Sequence, residues 1–307
     1  MSFSIPSSGA PELRAAKPPS ALADALRQSV RSPKVVIGAV IVIAMVLCAL
    51  FAPQIAPNDP ENQDLVNMLL PPMWSAGGTS EYPFGTDSLG RCILSQMIYG
   101  ARVALFVGFF AAIGAMLLGT TLALISGYFG GWVDRGISHL VDLWMSLPPV
   151  VLSLTLMVGF GTGVGNVILS IVLVDWTRFC RVLRSEVLVV TRRDYVAAAR
   201  LIGFSHWRTV TREIMPATMP LLITLLSLEM GIAVIVEAIL SFVGMSVGAT
   251  TPAWGQMIAD ARQYIYDSPW NLVFPILMIF VTVLGFNVLG DGLRRTLDVR
   301  LTETQRT

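Results

Sequence analysis

Gly159-Phe-Gly-Thr-Gly-Val-Gly165 is the stretch that decides the fold, because it lies in the middle of an uncharged run of 32 residues, Leu143 to Val174. A helix of about 20 apolar residues crosses a bilayer, so this run is long for a single crossing. Four glycines in seven residues favour a break in the helix. If the run is split, the sequence has six membrane spans, and if it is whole, the sequence has five.

The distribution of lysine and arginine favours two spans in this run over one. With six spans and the N-terminus inside, 18 of the 21 basic residues lie on the cytoplasmic side, and only Arg91, Arg102 and Arg262 lie outside. Without the split, the eight arginines from Arg178 to Arg212 would lie outside, against the bias that keeps positive charge in the cytoplasm. We therefore predict an all-α polytopic membrane protein with six transmembrane helices and both termini in the cytoplasm.

The composition is that of a membrane protein. Hydrophobic residues make up 54% of the chain and charged residues 13%, which excludes a cytosolic globular protein, and a net charge of +1 makes nucleic acid a poor partner. The four remaining spans are predicted at Val35–Ala52, Val103–Ile125, Ala217–Val247 and Leu272–Leu289. They divide the chain into a cytoplasmic tail (1–33), a retained first helix with its outer loop (34–100), a core of five helices (101–292) and a second cytoplasmic tail (293–307).

The lengths of the spans and the spacing of apolar residues also predict where spans three and four end and where short helices lie outside them. Each half of the split run is short, so span three is expected to begin near Ile137 and span four to run past Arg178. A short helix on the outer membrane interface is expected before span two, from the helical spacing of Ile93, Leu94, Met97 and Ile98. The last outer loop repeats the pattern at Trp254, Ile258, Ala261 and Ile265. The alternative is that both short helices pack on the spans.

The chain lacks the patterns of common catalytic sites. An ATP-hydrolysing P-loop needs a lysine in GxxxxGK, and neither Lys17 nor Lys34 has that context. The two histidines form no metal-binding or catalytic pattern, and the three cysteines show no CxxC spacing. Gly244-Met-Ser-Val-Gly248 spells GxSxG, but at the end of a membrane helix close packing explains it better than a nucleophilic Ser246. We predict no catalytic residue, no metal and no cofactor in this chain.

The segment between spans four and five carries the functional signal. Asp194 to Ile202 is predicted as a helix that Gly203 stops, and Ser205 as the N-cap of a second short helix through Ile214. Pro216 then opens the next span. Six residues form an apolar face with nothing obvious in the chain to cover it: Tyr195, Val196, Ala199, Ile202, Phe204 and Trp207. Such a face indicates docking into a groove of a partner protein, the alternative being a solvated basic loop.

Asp194-Tyr-Val-Ala-Ala-Ala-Arg-Leu-Ile-Gly-Phe-Ser205, followed by Pro216, resembles the EAA loop of ABC importer permeases, the coupling helix that fits a cleft in the ATPase subunit. Ala197 stands where the family often has Glu. The resemblance implies a type I importer permease fold with short cytoplasmic coupling helices. It also implies a periplasmic loop after the first helix and a coupling loop at 192–216. Within the coupling loop it assigns ATPase coupling to Asp194, Tyr195, Ala197, Ala198, Arg200, Gly203, Ser205, Arg208 and Pro216.

Three further stretches are similar to the C-type permease of dipeptide, oligopeptide and nickel importers: Ala49 to Pro60, Pro83 to Ala104, and Glu237 to Gly255. The resemblance implies half of a translocation pathway in the bacterial inner membrane, shared with a homologous B-type permease. It also implies two ABC ATPase subunits, which bind ATP and Mg, and an extracytoplasmic substrate-binding protein. The solute is expected to be a peptide or a similar small molecule, with nickel, glutathione, an opine or an oligosaccharide as alternatives within the family.

Two carboxylates lie inside span five, Glu229 and Glu237. An ionised carboxylate in the hydrocarbon core costs at least about 2.5 kcal/mol, so both are expected to face protein or a water-filled cavity. Glu229, with Thr224 and Ser227, is a candidate for lining the pathway, while Glu237 is equally compatible with a structural role. An ion-driven secondary transporter would also explain six spans with intramembrane acids, but it has no use for a docking loop.

Overall fold

The fold was obtained as a computed structural model, which describes residues 32–248 and 251–304. In that part of the chain the regular structure is helical, apart from one isolated bridge between Thr86 and Cys92. The α-helices in chain order are α1 (Pro33–Leu50), α2 (Ala52–Ile55), α3 (Ile93–Phe129), α4 (Gly131–Met145), α5 (Pro149–Phe160), α6 (Val164–Thr191), α7 (Asp194–Leu201), α8 (His206–Thr209), α9 (Met215–Phe242), α10 (Trp254–Ala261) and α11 (Trp270–Thr304).

Within the described residues, four helical segments are long and apolar enough to cross a membrane: α1, α3, α8 continuing through α9, and α11 as far as Arg294. If α4 and α5 together form one crossing, there are five. α6 falls outside this set because every 18-residue stretch of it contains at least three charged residues. The all-α membrane class predicted from the sequence is therefore confirmed.

The break predicted inside the uncharged run is present. α5 ends at Phe160 and α6 begins at Val164, and between them Gly161 and Gly163 adopt φ values of +80° and +143°. Backbone in this region favours glycine because a Cβ would be strained there. The Gly163 N–H donates to the carbonyl of Ser246 at 2.7 Å, which ties this turn to the turn after α9.

The helix that carries the predicted third span starts before Ile137, the position expected for the start of that span. α4 begins six residues earlier, at Gly131, and ends before Pro148 and Pro149. α5 then departs from the direction of α4 by 86°. Proline ends a helix because it lacks an N–H and restricts the residue before it. With 12 residues, α5 is only about 18 Å long, too short to cross a core of about 30 Å alone.

The interfacial helix expected before span two does not exist as a separate element. Ile93, Met97 and Ile98 are buried in the first turns of α3, which runs unbroken for 37 residues because nothing between them and Val103 stops the helix. The predicted helix in the last outer loop is present as α10, but its Trp254 is fully buried and donates Nε1–H to the carbonyl of Met97 at 2.9 Å. Packing on the spans is therefore the correct alternative for both.

The bundle has two chemically different ends. α3 lies along α6, and α11 lies between α1 and α9. At what we call the cap end, residues 53–92 cover the start of α3 and lie next to α10. At the opposite loop end lie the α3–α4 turn and the segment 192–214. α11 continues through Thr304, so the segment predicted as the second tail begins inside a helix, and the first predicted tail lies almost entirely outside the described residues.

Candidate coupling surface and membrane-embedded acids

α7 forms at the loop end as the sequence predicts. Gly203, at φ +89°, follows the helix, its N–H donates to the carbonyl of Arg200 at 3.1 Å, and the N–H of Phe204 donates to the carbonyl of Ala199 at 3.1 Å. This is the ordinary way in which a left-handed glycine closes a helix. Ser205 then accepts a hydrogen bond from the N–H of Arg208 at 3.3 Å and caps α8.

The apolar face predicted on this segment is divided by the fold. Val196 and Ala199 are buried and lie towards the body of the bundle, so part of the face is covered by the chain itself, contrary to expectation. Val196 packs in a core cluster with Tyr128, Val187 and Ile214. The remaining side is exposed, and its members are Asp194, Tyr195, Ala197, Ala198, Leu201 and Ile202. A small, smooth, partly apolar surface therefore points away from the bundle.

The second predicted helix does not stand apart from the membrane span. α8 continues through a π-helical turn, Val210–Ile214, directly into α9, in which Pro216 is the second residue. Proline interrupts the hydrogen-bond ladder of a helix, and Pro216 lies directly after this π-helical turn, where the ladder already changes. Trp207 remains 78% exposed on this extension, and the guanidinium of Arg208 lies 4.2 Å from the ring centroid of Phe204.

Tyr128, at the end of α3, links α7 and α8 to the bundle and was not identified from the sequence. Its hydroxyl lies 2.8 Å from Nδ1 of His206, and the guanidinium of Arg200 lies 4.8 Å from its ring centroid. The side chain is 9% exposed. No periodicity could reveal this residue, since its partners lie more than 70 positions away and meet it only in the folded chain.

A second link at the loop end joins three helices through Asp134. This carboxylate, in the first turn of α4, accepts from Nη2 of Arg184 on α6 at 2.6 Å and also contacts Nε of the same guanidinium. The hydroxyl of Ser126 on α3 donates to it at 2.5 Å. α3, α4 and α6 are therefore fixed to one another beside the residues that hold α7.

Glu229 does not stand free in a pathway. It is 1% exposed, and its Oε2 accepts from Nη1 of Arg178 on α6 at 3.1 Å, while Nη2 of Arg178 lies 3.5 Å from Asp175. The second oxygen of Glu229 is buried without a hydrogen-bond partner. The Arg178 side chain is 32% exposed, so the arginine is the member of this cluster that reaches the surface of the chain.

The other pathway candidates lie on different sides of α9. Thr224 and Ser227 bond back to the carbonyls of Pro220 and Ile223, and Ser227 packs against Gly290 of α11, away from Arg178. Glu237 is buried and accepts from the hydroxyl of Ser246 at 3.0 Å. Ser246 is buried and its hydroxyl donates to a carboxylate, so this serine of the GxSxG pattern connects the turn after α9 to α9 itself. The structure thus does not gather the four predicted residues into one site.

Comparisons with known proteins agree with this architecture. Residues 119–303 match the family described as binding-protein-dependent transport system inner membrane component, and residues 20–72 match the N-terminal transmembrane domain of oligopeptide transport permease C. A solved structure described as an amino acid ABC transporter with histidines has a similar fold, with a TM-score of 0.51 and 18% identity over 65% of this chain and 93% of that chain.

Curated relatives cover almost the whole length. The dipeptide transport system permease protein DppC of Alkalihalophilus pseudofirmus is 35% identical over 91% of this chain and 90% of its own length. The glutathione transport system permease protein GsiD of Pectobacterium atrosepticum is 34% identical over 90% of both chains. The di/tripeptide permease DppC of Pseudomonas aeruginosa is 36% identical over 86% of this chain and 87% of its own.

The helical fold and the family match together define the class of protein. It is a multi-pass helical permease of a binding-protein-dependent import system in the inner membrane. Within that class, the chain belongs to the C-type permease subunits of dipeptide and oligopeptide ABC importers. The resemblance noted from the sequence motifs is confirmed.

Proposed function

We propose that this chain forms half of the translocation pathway of an ATP-driven importer for peptides or glutathione-like solutes. The relatives named for dipeptides, di/tripeptides and glutathione support this solute class, because those solutes share an α-amino group, a carboxylate and an amide bond. The other half of the pathway would come from a B-type permease. ATP and Mg would bind to two separate ATPase subunits, and the solute would arrive on an extracytoplasmic binding protein.

In this proposal the chain crosses the membrane six times, with both termini and the loop end in the cytoplasm. α4 and α5 together make the third crossing, and α6, about 42 Å long at 1.5 Å per residue, makes the fourth. The charges that keep α6 out of the apolar set support this, because Asp175, Arg178 and Arg184 are each paired with charged side chains of the same chain. Paired charges facing protein are tolerated within membranes.

The single observation that carries the coupling role is the two-sided packing of α7. One side is anchored in the bundle through Val196, Ala199 and the contacts of Arg200 with Tyr128, while the other presents small and apolar residues to the outside. An exposed helix face with a rigid support is suited to a groove in a partner. ATP-driven closure of the ATPase subunits would push α7, and α7 would move the ends of α3, α6 and α9.

The coupling role is tested with Ala198→Asp in the assembled importer. Ala198 is exposed, so the substitution leaves the fold of the chain intact but places an unpaired charge in the proposed groove. We expect the ATPase subunits to be lost on copurification, while Ala198→Ser, of similar size and without charge, retains them. Gly203 changed to a bulky residue should have the same effect as Ala198→Asp, because its φ of +89° disfavours a side chain. Full ATPase recovery with Ala198→Asp would contradict the proposal.

A further inference from the structure

The cap end carries an apolar tip that the chain leaves in water. It consists of Leu65, Val66 and Met68, in and directly after a 3-10 turn, Leu65–Asn67. Val66 is 93% exposed, and Leu65 and Met68 are each at least half exposed. Three exposed apolar side chains in four consecutive residues are unusual on a surface that has no partner.

Hydrogen bonds hold the turn in the conformation that exposes these side chains. Asp64 accepts from the N–H of Val66 at 3.1 Å and from the side-chain amide of Asn67 at 2.7 Å. The amide of Asn67, donating to the carboxylate, lowers the pKa of Asp64 below its ordinary value, so the cap of the turn stays charged at neutral pH. The hydroxyl of Thr86 donates to the carbonyl of Asn67 and accepts from the N–H of Leu70 at 2.8 Å. The turn is therefore fixed from both sides.

The segment that carries the tip is acidic. Residues 53–92 contain five carboxylates, at Asp59, Glu61, Asp64, Glu81 and Asp87, against one arginine. That arginine, Arg91, is paired with Asp87 at 2.7 Å. Asp59, Glu61 and Glu81 are exposed. The exposed charges of the cap are thus mainly negative, which favours a partner surface that carries positive charge.

The tip also stands clear of the hydrocarbon core. The apolar span of α3 begins near Val103, and the ten residues of α3 before it add about 15 Å at 1.5 Å per residue. The cap is fastened to the start of this projection: the N–H of Asn58 donates to the hydroxyl of Ser95 at 3.1 Å, and the amide of Gln96 donates to Asp87 at 2.9 Å. Carboxylates at this height disfavour anionic lipid headgroups.

We propose that the tip, Leu65 to Met68 with the acidic segment that carries it, is a docking surface for the extracytoplasmic substrate-binding protein of this importer, which would meet it with an apolar patch ringed by lysine and arginine. The inference rests on the proposed function, which places the cap end outside and supplies such a protein. A second copy of this chain is a poor occupant, because two acidic caps would repel each other. A preformed turn favours docking because little entropy is lost when it binds.

The test uses the whole importer in nanodiscs of neutral phosphatidylcholine. The probe is the dipeptide-binding or glutathione-binding protein of the same organism that stimulates ATP hydrolysis by the wild-type complex. Val66→Ser removes the exposed apolar side chain and should raise the Kd about tenfold, while Val66→Ile should stay within about twofold. The double variant Glu61→Lys with Glu81→Lys should weaken binding and flatten its dependence on salt.

The outcomes separate this inference from the proposed function. Wild-type affinity of both Val66→Ser and the double lysine variant would overturn the docking surface. So would quenching by nitroxide-labelled lipid of a fluorophore attached to Val66→Cys, in a chain whose three native cysteines are replaced by alanine, because the tip would then lie in the membrane. The proposed function is judged on a different readout, copurification of the ATPase subunits with the wild-type permease, which none of these cap variants should change.

Discussion

At the scale of single residues, Tyr128 is the contact through which movement of α7 would reach α3. Its hydroxyl contacts His206 and its ring contacts Arg200, so the two functions of the side chain can be removed separately. Tyr128→Phe removes one hydrogen bond, worth about 1 kcal/mol, and should reduce solute import per ATP hydrolysed by about two- to threefold. Tyr128→Leu also removes the cation–π partner and should reduce it about tenfold.

The measurement is import per ATP in proteoliposomes containing the complete importer. Tyr99→Leu is the matched control, since Tyr99 lies on the same helix and has the guanidinium of Arg102 5.2 Å from its ring centroid, but at the cap end. The ATPase subunits should copurify with all three variants, because the exposed side of α7 is unchanged. Loss of the ATPase, or a coupling ratio equal to wild type in Tyr128→Leu, would show that Tyr128 does not transmit the movement.

At the scale of helices, the Arg178 cluster fixes α6 to α9. Arg178→Gln leaves Glu229 and Asp175 buried without their positive partner, which should destabilise the chain by about 2 kcal/mol or more. Adding Glu229→Gln removes one of the unpaired charges and should restore at least half of the lost stability. The thermal unfolding of the purified permease in detergent, arranged as a double-mutant cycle, measures this coupling. A loss in the double variant equal to the sum of the losses in Arg178→Gln and Glu229→Gln alone would show that the pair carries no net interaction.

Helix breaks show what the sequence could predict and what it could not. The glycines at Gly161 and Gly163 predicted a break because their backbone freedom is a local property. Pro148 and Pro149 give an equally local signal for the bend after α4. The bend was not predicted, because the absence of charged residues in a segment says nothing about the direction of its helices. The pairing of Glu229 with Arg178 joins residues 51 positions apart, and neither spacing nor composition indicates which residue a buried acid will meet.

The coupling segment divides in the same way. The helix at Asp194, its glycine stop and the Ser205 cap are set by neighbouring residues and were predicted. Which side of α7 is covered depends on where α3 and α6 end, so the burial of Val196 and Ala199 could not be foreseen. The continuity of α8 with α9 through the π-helical turn was missed because proline is common at the start of a helix, whereas Pro216 lies inside a continuous helical segment.

At the scale of the whole molecule, the proposed orientation predicts which surfaces reagents can reach. With Cys48, Cys92 and Cys180 replaced by alanine, Arg192→Cys places a thiol at the loop end and Ser80→Cys places one on the cap, both at exposed positions. A membrane-impermeant maleimide applied to intact cells should label Ser80→Cys and leave Arg192→Cys unlabelled until the membrane is permeabilised. Positive charge concentrates at the loop end, and the same charge rule that splits the uncharged run is the reason that the proposal puts this end inside. Labelling of Arg192→Cys in intact cells would show that the orientation is the reverse of the one proposed. The ATPase subunits could then not dock on α7, and the binding protein could not dock on the acidic cap.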